Sequence, residues 1–301
     1  MTSAFVSAQS LDEALSALAA GARPVAGGTD LVVGARQGKA PLPESMVAVH
    51  RLEELRGSTT GDRVLRLGAL VTHAEIAADP VVRERLTALA DASSIVGSHA
   101  TRAQGTVGGN VMNASPAMEL GGPLMVFGAT VTLRSAAGER SVPVAELVTG
   151  PGTTVASSDE LLTEVEVPLP PPESGSCYAR LEYRRQMEIA VVGATAAVTF
   201  AGGKVEHARV AITALAPTIR LVPEAGEALV GSDGGAPAVR EAAAVAARAA
   251  EPISDVRASA DYRRAMAEVV TRRVLTAALA RARGESIPVP ASSALFGAGE
   301  S

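Results

Sequence analysis

A proline-rich stretch at residues 168–175 limits every fold that this chain can adopt. Four of its eight residues are proline, which supplies no backbone N–H donor and favours extended backbone, so no helix or central strand can continue through it. We place a domain boundary after Pro172. Strand and helix patterns alternate before this boundary, and two strand patterns precede two Ala-rich helices after it. Together they predict an α+β fold class.

Turn residues and capping signals divide the chain further. A hydroxyl residue followed three positions later by glutamate marks two helix starts, at Ser10 and at Thr72. Another helix is predicted to begin at Asp79-Pro80 and to continue to about Val96, and one more to begin at Ser115-Pro116. The predicted divisions are a first lobe, a second lobe, a C-terminal domain and a flexible tail rich in Pro, Ala, Ser and Gly: residues 1–57, 58–172, 173–285 and 286–301.

Charge and residue counts exclude several classes of function. The net charge is −5 and no basic run occurs, which argues against a nucleic-acid partner. No segment approaches the roughly 18 consecutive apolar residues of a membrane span, and the first residues carry no basic signal region, so we expect a cytoplasmic chain. The single cysteine, Cys177, and four isolated histidines offer no disulfide framework and no Cys-ligated iron–sulfur or zinc site.

Two short loops with paired glycines are the candidate binding elements. Residues 26–30 follow a strand pattern, and residues 106–110, about 80 positions later, precede a helix pattern. Adjacent glycines let backbone N–H groups converge on an anion without obstruction by a Cβ atom. The side chains of Thr29, Thr106 and Asn110 add hydrogen-bonding groups for phosphate or ribose oxygens. The pair of loops predicts a nucleotide held between two lobes.

Common alternatives lack their motifs in this chain. No Gly-x-Gly-x-x-Gly follows a strand pattern, so a Rossmann dinucleotide site is unsupported. Gly38-Lys39 lacks the leading glycine of a P-loop, because Val33 stands in its place. Neither a Gly-x-Ser-x-Gly nucleophile elbow nor a clustered carboxylate pair is present. We therefore predict no catalytic residue and no metal ligand on this chain.

Short stretches spread through almost the whole chain match one known family in order: residues 23–31, 67–72, 105–111, 113–116, 160–168, 189–192 and 262–264. On these residues the chain resembles the FAD-binding, medium subunit of the xanthine dehydrogenase and carbon monoxide dehydrogenase family of molybdenum hydroxylases. Each stretch alone is weak, and only the combination is specific. The resemblance implies a two-lobed FAD-binding domain of the vanillyl-alcohol oxidase (PCMH) type, followed by a C-terminal α+β domain with an antiparallel sheet and helices.

The resemblance also implies which residues bind FAD. The first loop holds the pyrophosphate and the second completes its cradle: Val25, Ala26, Gly27, Gly28, Thr29 and Asp30, then Thr106, Gly109 and Asn110. Glu119 stands where the family usually has an aspartate that binds the ribose or adenine end. Leu161 or Leu162 corresponds to an aliphatic side chain against the flavin ring. Arg180 corresponds to a lysine on the pyrimidine side of the flavin, where a cation stabilises the reduced ring.

The implied function is electron transfer within a multi-subunit enzyme. FAD on this chain takes electrons from a small [2Fe–2S] subunit, which receives them from a large molybdopterin subunit, in a dimer of heterotrimers. The external acceptor stays open among NAD⁺, a quinone, a carrier protein and dioxygen. Two alternatives also stay open: a self-contained flavoprotein oxidase of the vanillyl-alcohol oxidase type, which needs a substrate pocket with its own base, and a flavin-free scaffolding subunit.

Overall fold

The computed structural model describes residues 4–38 and 40–296. The first lobe is a parallel sheet in the order β1-β3-β2, with two helices in its connections: β1 (Ala4–Ser7), α1 (Leu11–Ala19), β2 (Arg23–Val25), α2 (Thr29–Arg36) and β3 (Ser45–Ala48). A 3₁₀ turn, Glu53–Leu55, follows. Helix α1 starts as predicted, because the Ser10 hydroxyl accepts a hydrogen bond from the Glu13 N–H.

The second lobe is built on a five-stranded antiparallel sheet, whose strands are β4 (Ser58–Thr60), β5 (Val64–Gly68), β6 (Thr130–Ser135), β7 (Gly138–Pro143) and β10 (Leu161–Pro168). They lie in the order β4-β5-β10-β6-β7. The connections hold α3 (His73–Ala78), α4 (Pro80–Arg85), α5 (Thr87–Ile95), α6 (His99–Arg102), α7 (Val107–Met112), α8 (Gly121–Phe127) and α9 (Val144–Leu147), and the hairpin of β8 (Val148–Gly150) and β9 (Thr153–Thr154).

Two predicted helices of this lobe differ in the structure. The helix predicted from Asp79-Pro80 to Val96 is interrupted at Leu86, whose φ of −121° and ψ of 46° are not helical. The break arises from a distant contact, because the N–H of Ala88 donates to the hydroxyl of Ser176. The helix predicted from Ser115 begins only at Gly121, after a turn in which the Met118 N–H donates to the Ser115 carbonyl.

The C-terminal domain is a four-stranded antiparallel sheet covered by helices. Its strands follow one another in sheet order: β11 (Ser174–Leu181), β12 (Val192–Ala201), β13 (Lys204–Thr213) and β14 (Arg220–Leu221). The helices are α10 (Pro223–Glu227), α11 (Ala236–Arg248), α12 (Ala260–Ala282) and α13 (Ala291–Phe296). Cys177 and Ala179 of β11 pack in the core with α12, whereas Ser176 and Tyr178 contact the second lobe. The sheet is therefore a layer between α12 and the second lobe.

The predicted flexible tail differs from the structure over its first eleven residues. Residues 286–296 include α13, and the main chain before it accepts hydrogen bonds from Arg281 at the carbonyls of Ile287 and Pro288. Small side chains let this segment approach closely, and Ala291 and Ser292 are buried. Residues 297–301, the rest of the predicted tail, lie outside the described residues.

The three cores share residues across the predicted boundaries. Leu70 and Leu161 of the second lobe lie in the core of the first lobe, and Tyr178 and Ile219 of the C-terminal domain lie in the core of the second lobe. The domain boundaries after residues 57 and 172 stay predictions, although the sheets lie on either side of each. Within the described residues, no helix has the length and apolarity needed to span a membrane.

Candidate cofactor site

The first glycine loop is in direct contact with residues 104 and 105, which immediately precede the second glycine loop in the other lobe. A Cβ atom placed on Gly27 would lie 1.9 Å from the carbonyl oxygen of Gln104 and 3.3 Å from the nitrogen of Gly105. A distance of 1.9 Å is far inside van der Waals contact, so only glycine permits this approach. Neither Gln104 nor Gly105 was among the predicted site residues. The structure thus brings together the loops that the sequence separates by about 80 positions.

The first loop ends in a left-handed residue that opens a helix. Gly28 has a φ of 67° and is the N-cap of the eight-residue helix α2, whose N-terminus has no side-chain cap among the described residues. The helix dipole favours an anion at this end of the helix. Val25, Ala26 and Thr29 are half-buried around this turn.

The second loop is pinned to the strand end before α3. The N–H of Val107 donates to Val71 and that of Gly108 to Ala69, and the carbonyl of Gly105 accepts from the N–H of His73. A Cβ atom on Gly108 would lie 2.9 Å from the Cβ of Ala69, so this glycine is required for packing. Main-chain hydrogen bonds therefore hold the second loop rigidly against the second lobe.

Gly109 and Asn110 carry the features of the second loop that suit a binding site. A Cβ atom on Gly109 would meet only the Thr106 hydroxyl, at 3.0 Å, and Gly109 is exposed. The Thr106 hydroxyl accepts from the Gly109 N–H at 3.1 Å and so fixes the loop. The Oδ1 atom of Asn110 is buried and has no hydrogen-bond partner among the described residues. Buried polar atoms are rarely left unpaired, so Asn110 fits a site that a ligand completes.

Glu119 and Arg180, which the resemblance places at opposite ends of FAD, form a buried ion pair. The Arg180 Nη1 donates to Glu119, its Nε donates to Glu182 at 2.6 Å, and its Nη2 donates to the Ile95 carbonyl at 3.1 Å. Two side chains in contact cannot serve both ends of one extended dinucleotide, so the two placements exclude each other. The Arg180 side chain is 0% exposed, which also leaves it no surface for the flavin. Arg180 is therefore placed to act through Glu119.

The electrostatics of this pair connect it to the first loop. Burial raises the pKa of Glu119 to about 7, although the Arg180 charge opposes the shift, and the nearby charge of Asp30 adds to it. Burial alone lowers the pKa of Arg180, but the charges of Glu119 and Glu182 outweigh it and raise that pKa. Asp30 belongs to the first loop, so the Glu119–Arg180 pair lies within electrostatic reach of the glycine loops.

Leu161 and Leu162 are occupied by core packing. Leu161 is 6% exposed and lies in the core of the first lobe, and Leu162 is 3% exposed and lies in that of the second. Strand β10 carries both residues, and its central position in the sheet explains their burial. It stays a prediction that one of them lies against the flavin ring. In the structure neither leucine has an exposed side chain.

His73 supports the second loop and was not predicted to do so. A Cβ atom on Gly105 would lie 3.1 Å from the Cδ2 of His73, which is buried directly beneath the loop. Burial and the nearby charge of Arg102 lower the pKa of His73 to about 4, so its imidazole is neutral at pH 7. Arg102 is buried and donates to the Val96 carbonyl at 2.9 Å. The sequence showed His73 only as a residue of a helix start.

Known proteins share both halves of this chain. Residues 1–170 match the family model of the FAD binding domain in molybdopterin dehydrogenase, and residues 177–278 match that of the CO dehydrogenase flavoprotein C-terminal domain. The carbon monoxide dehydrogenase medium chain of Afipia carboxidovorans is 31% identical over 269 residues, which are 89% of this chain and 93% of that one. The putative xanthine dehydrogenase FAD-binding subunit of Escherichia coli K12 is 28% identical over 266 residues, or 88% and 91% of the two chains.

A solved structure shows the same fold. A chain in the cyanide-inactivated Cu,Mo-CO dehydrogenase superposes with a TM-score of 0.88 at 30% identity, covering 92% of this chain and 98% of that one. The matched family model and the shared fold define an FAD-binding subunit of an oxidoreductase. The chain belongs to the family of FAD-binding medium subunits of molybdenum hydroxylases. The predictions of family, fold class, enzyme class and FAD as cofactor are thereby confirmed.

Proposed function

We propose that this chain holds one FAD across its two glycine loops and relays electrons from a [2Fe–2S] partner to an external acceptor. The supporting observation is the contact of Gly27 with Gln104 and Gly105, which joins the loops of two lobes into one cradle. Two further features support a ligand there: the dipole at the N-terminus of α2, which favours an anion, and the buried Oδ1 of Asn110, which has no partner among the described residues. FAD, when bound, accepts electrons singly or in pairs, which suits a relay.

Within this site the chain itself binds and orients. The loop residues proposed for the diphosphate are Val25, Ala26, Gly27, Gly28, Thr29, Asp30, Thr106, Gly109 and Asn110. Glu119 is proposed to face the nucleotide with the small exposed part of its side chain, which is 10%, while Arg180 holds its carboxylate from behind. The described residues contain no group of three metal-ligating side chains, so this proposal assigns the iron–sulfur and molybdenum chemistry to partner chains.

The proposed assembly is a dimer of heterotrimers with a small [2Fe–2S] subunit and a large molybdopterin subunit, working in the cytoplasm. It is supported by the relatives, which are named as medium chains or subunits of complexes. Affinity purification of the tagged chain from its source, with metal analysis of the eluate, tests it. We expect iron and molybdenum in fixed ratio to flavin. Flavin without either metal would favour the self-contained oxidase instead.

Replacement of Gly109 by valine tests the cradle. Among the described residues the added Cβ atom meets only the Thr106 hydroxyl, at 3.0 Å, and the position is exposed, so we expect the ratio of flavin to protein to fall roughly tenfold with little change in folding. Gly34→Val is the matched control, because Gly34 is also helical and no atom of the described residues lies within 4 Å of its Cβ position. The visible absorbance of each purified variant gives the ratio.

Either of two results would contradict this assignment. If Gly109→Val retains one FAD per chain, the second loop is not part of the binding site. Wild-type protein that purifies without flavin, and does not take it up when FAD is added, supports the scaffolding alternative.

A further inference from the structure

The segment that follows α12 covers the outer edge of β11. Because β11 is an edge strand, half of its N–H groups point away from β12 and need other acceptors. The N–H of Tyr178 donates to the Asp91 carboxylate at 3.2 Å, and the N–H of Arg180 donates to the Ser292 hydroxyl at 3.1 Å. Side chains from α5 and α13 thus satisfy the strand edge next to the Glu119–Arg180 pair.

Asp91 and its ion-pair partner Arg281 anchor this segment at two places. Its fully buried carboxylate accepts from Arg281 Nη1 at 2.6 Å and from the N–H of Ala291 at 2.9 Å. The same guanidinium donates to the carbonyls of Ile287, at 3.3 Å, and Pro288, at 3.0 Å. One ion pair therefore fixes both the approach to α13 and its first residue.

We infer that residues 287–296 form a strap that positions the Glu119–Arg180 pair for flavin binding, with Ser292 as the contact residue. The inference rests on the proposed function. Ser292 holds the main chain of Arg180, and the guanidinium of Arg180 holds the Glu119 carboxylate. Because the Arg180 side chain is fully enclosed, a displacement of its main chain is passed on to Glu119. Ser292 is thus a positioning residue that acts through Arg180.

Substitution of Ser292 tests the strap in the full-length chain. Ser292→Ala removes one hydrogen bond to a buried N–H, and we expect the dissociation constant of FAD to rise roughly fivefold, the equivalent of one such bond. Ser292→Thr keeps the hydroxyl and should restore binding. Ser293→Ala is the matched control, since Ser293 is the neighbouring serine of α13 and is exposed. Quenching of FAD fluorescence in a titration of flavin-stripped protein measures each constant.

A double-mutant cycle separates positioning from a general loss of stability. In a Glu119→Gln background the same Ser292→Ala change should leave the dissociation constant of FAD unaltered, because the pair that it positions is gone. If Glu119→Gln binds no flavin, Glu119→Asp replaces it as the background. The shorter carboxylate changes the contact with the Arg180 guanidinium, so Ser292→Ala should again raise the dissociation constant of FAD by less than it does in the wild type.

Several outcomes overturn the inference. If Ser292→Ala leaves the dissociation constant of FAD unchanged, or raises it equally in both backgrounds, Ser292 does not position the Glu119–Arg180 pair. The proposed function is unaffected by that result. A wild-type chain that binds no FAD overturns the proposed function and the strap together.

Discussion

Gly27 holds the closest approach between the two lobes. Its Cβ position lies 1.9 Å from the Gln104 carbonyl oxygen, a backbone atom that cannot move aside alone. We therefore expect Gly27→Ala to push the loops apart, to lower the free energy of unfolding by about 1–3 kcal/mol and to abolish flavin binding. Denaturant unfolding and flavin content measure the two effects. Wild-type values for both would show that the loops do not need this contact.

His73 gives the second loop a pH dependence. Its pKa is about 4 in the folded chain and 6.5 ordinarily, because burial and Arg102 disfavour the charged imidazole. The unfolded chain therefore binds the proton first as the pH falls. The free energy of unfolding is therefore highest, as far as His73 decides it, above about pH 6.5. It falls toward pH 4 by an amount on the order of 3 kcal/mol.

The variant His73→Gln isolates this effect, because glutamine does not titrate. From pH 7 to pH 4, the free energy of unfolding should fall further in the wild type than in the variant. Urea unfolding at several pH values measures it. Parallel pH profiles of the two proteins would assign the acid sensitivity to other groups.

The residue-level predictions were possible where one short stretch carried the information. The glycine doublets at residues 27–28 and 108–109 are visible in the sequence, because backbone that approaches an anion or another loop requires glycine. The Glu119–Arg180 pair spans 61 positions, and no local pattern records it. The same holds for His73, whose role depends on the loop above it.

Among the secondary structure elements, α3 was fixed by its own sequence. The Thr72 hydroxyl accepts from the Glu75 N–H, and the Glu75 carboxylate accepts from the Thr72 N–H at 2.7 Å. We expect Thr72→Ala to lower the free energy of unfolding by about 1 kcal/mol and Thr72→Ser to keep it. Chemical denaturation of the three proteins compares them. An equal loss in both variants would point to the methyl group of Thr72 instead of the cap.

Elements that depend on distant neighbours escaped the sequence patterns. Strand β11 is buried on both faces, so it lacks the alternation that marks β6 and β10. Strand β7 has the opposite problem, because nearly all of it is exposed and polar and only its pairing with β6 defines it. The interruption between α4 and α5 has its cause in Ser176, about 90 positions away. These three cases differ from α1 and α3, whose caps lie within four residues.

At the scale of the whole molecule, a buried ion pair holds the interface between the second lobe and the C-terminal domain. Each domain supplies one charge, and neither could bury its charge without the partner. Asp91 of α5 is 0% exposed and accepts two hydrogen bonds from Arg281 of α12, at 2.6 and 3.1 Å. Burial raises the pKa of Asp91, against the opposing charge of Arg281. Separation of the domains would leave both charges without their partners, so the two halves should unfold together.

Removal of one partner should therefore destabilise the whole chain. We expect Arg281→Met to lower the free energy of unfolding by about 3–5 kcal/mol, because Asp91 is left as an unpaired buried charge. The double variant Asp91→Asn, Arg281→Met should lose less free energy of unfolding than the sum of the two single changes, since asparagine still accepts the N–H of Ala291 without a charge.

Calorimetry measures the thermal unfolding transitions of these proteins. We expect the wild type to unfold in a single transition and Arg281→Met to unfold in a single transition at lower temperature, because the shared cores couple both domains across this interface. A second transition that stays at the wild-type temperature would mean that the domains fold independently and that the ion pair only docks them.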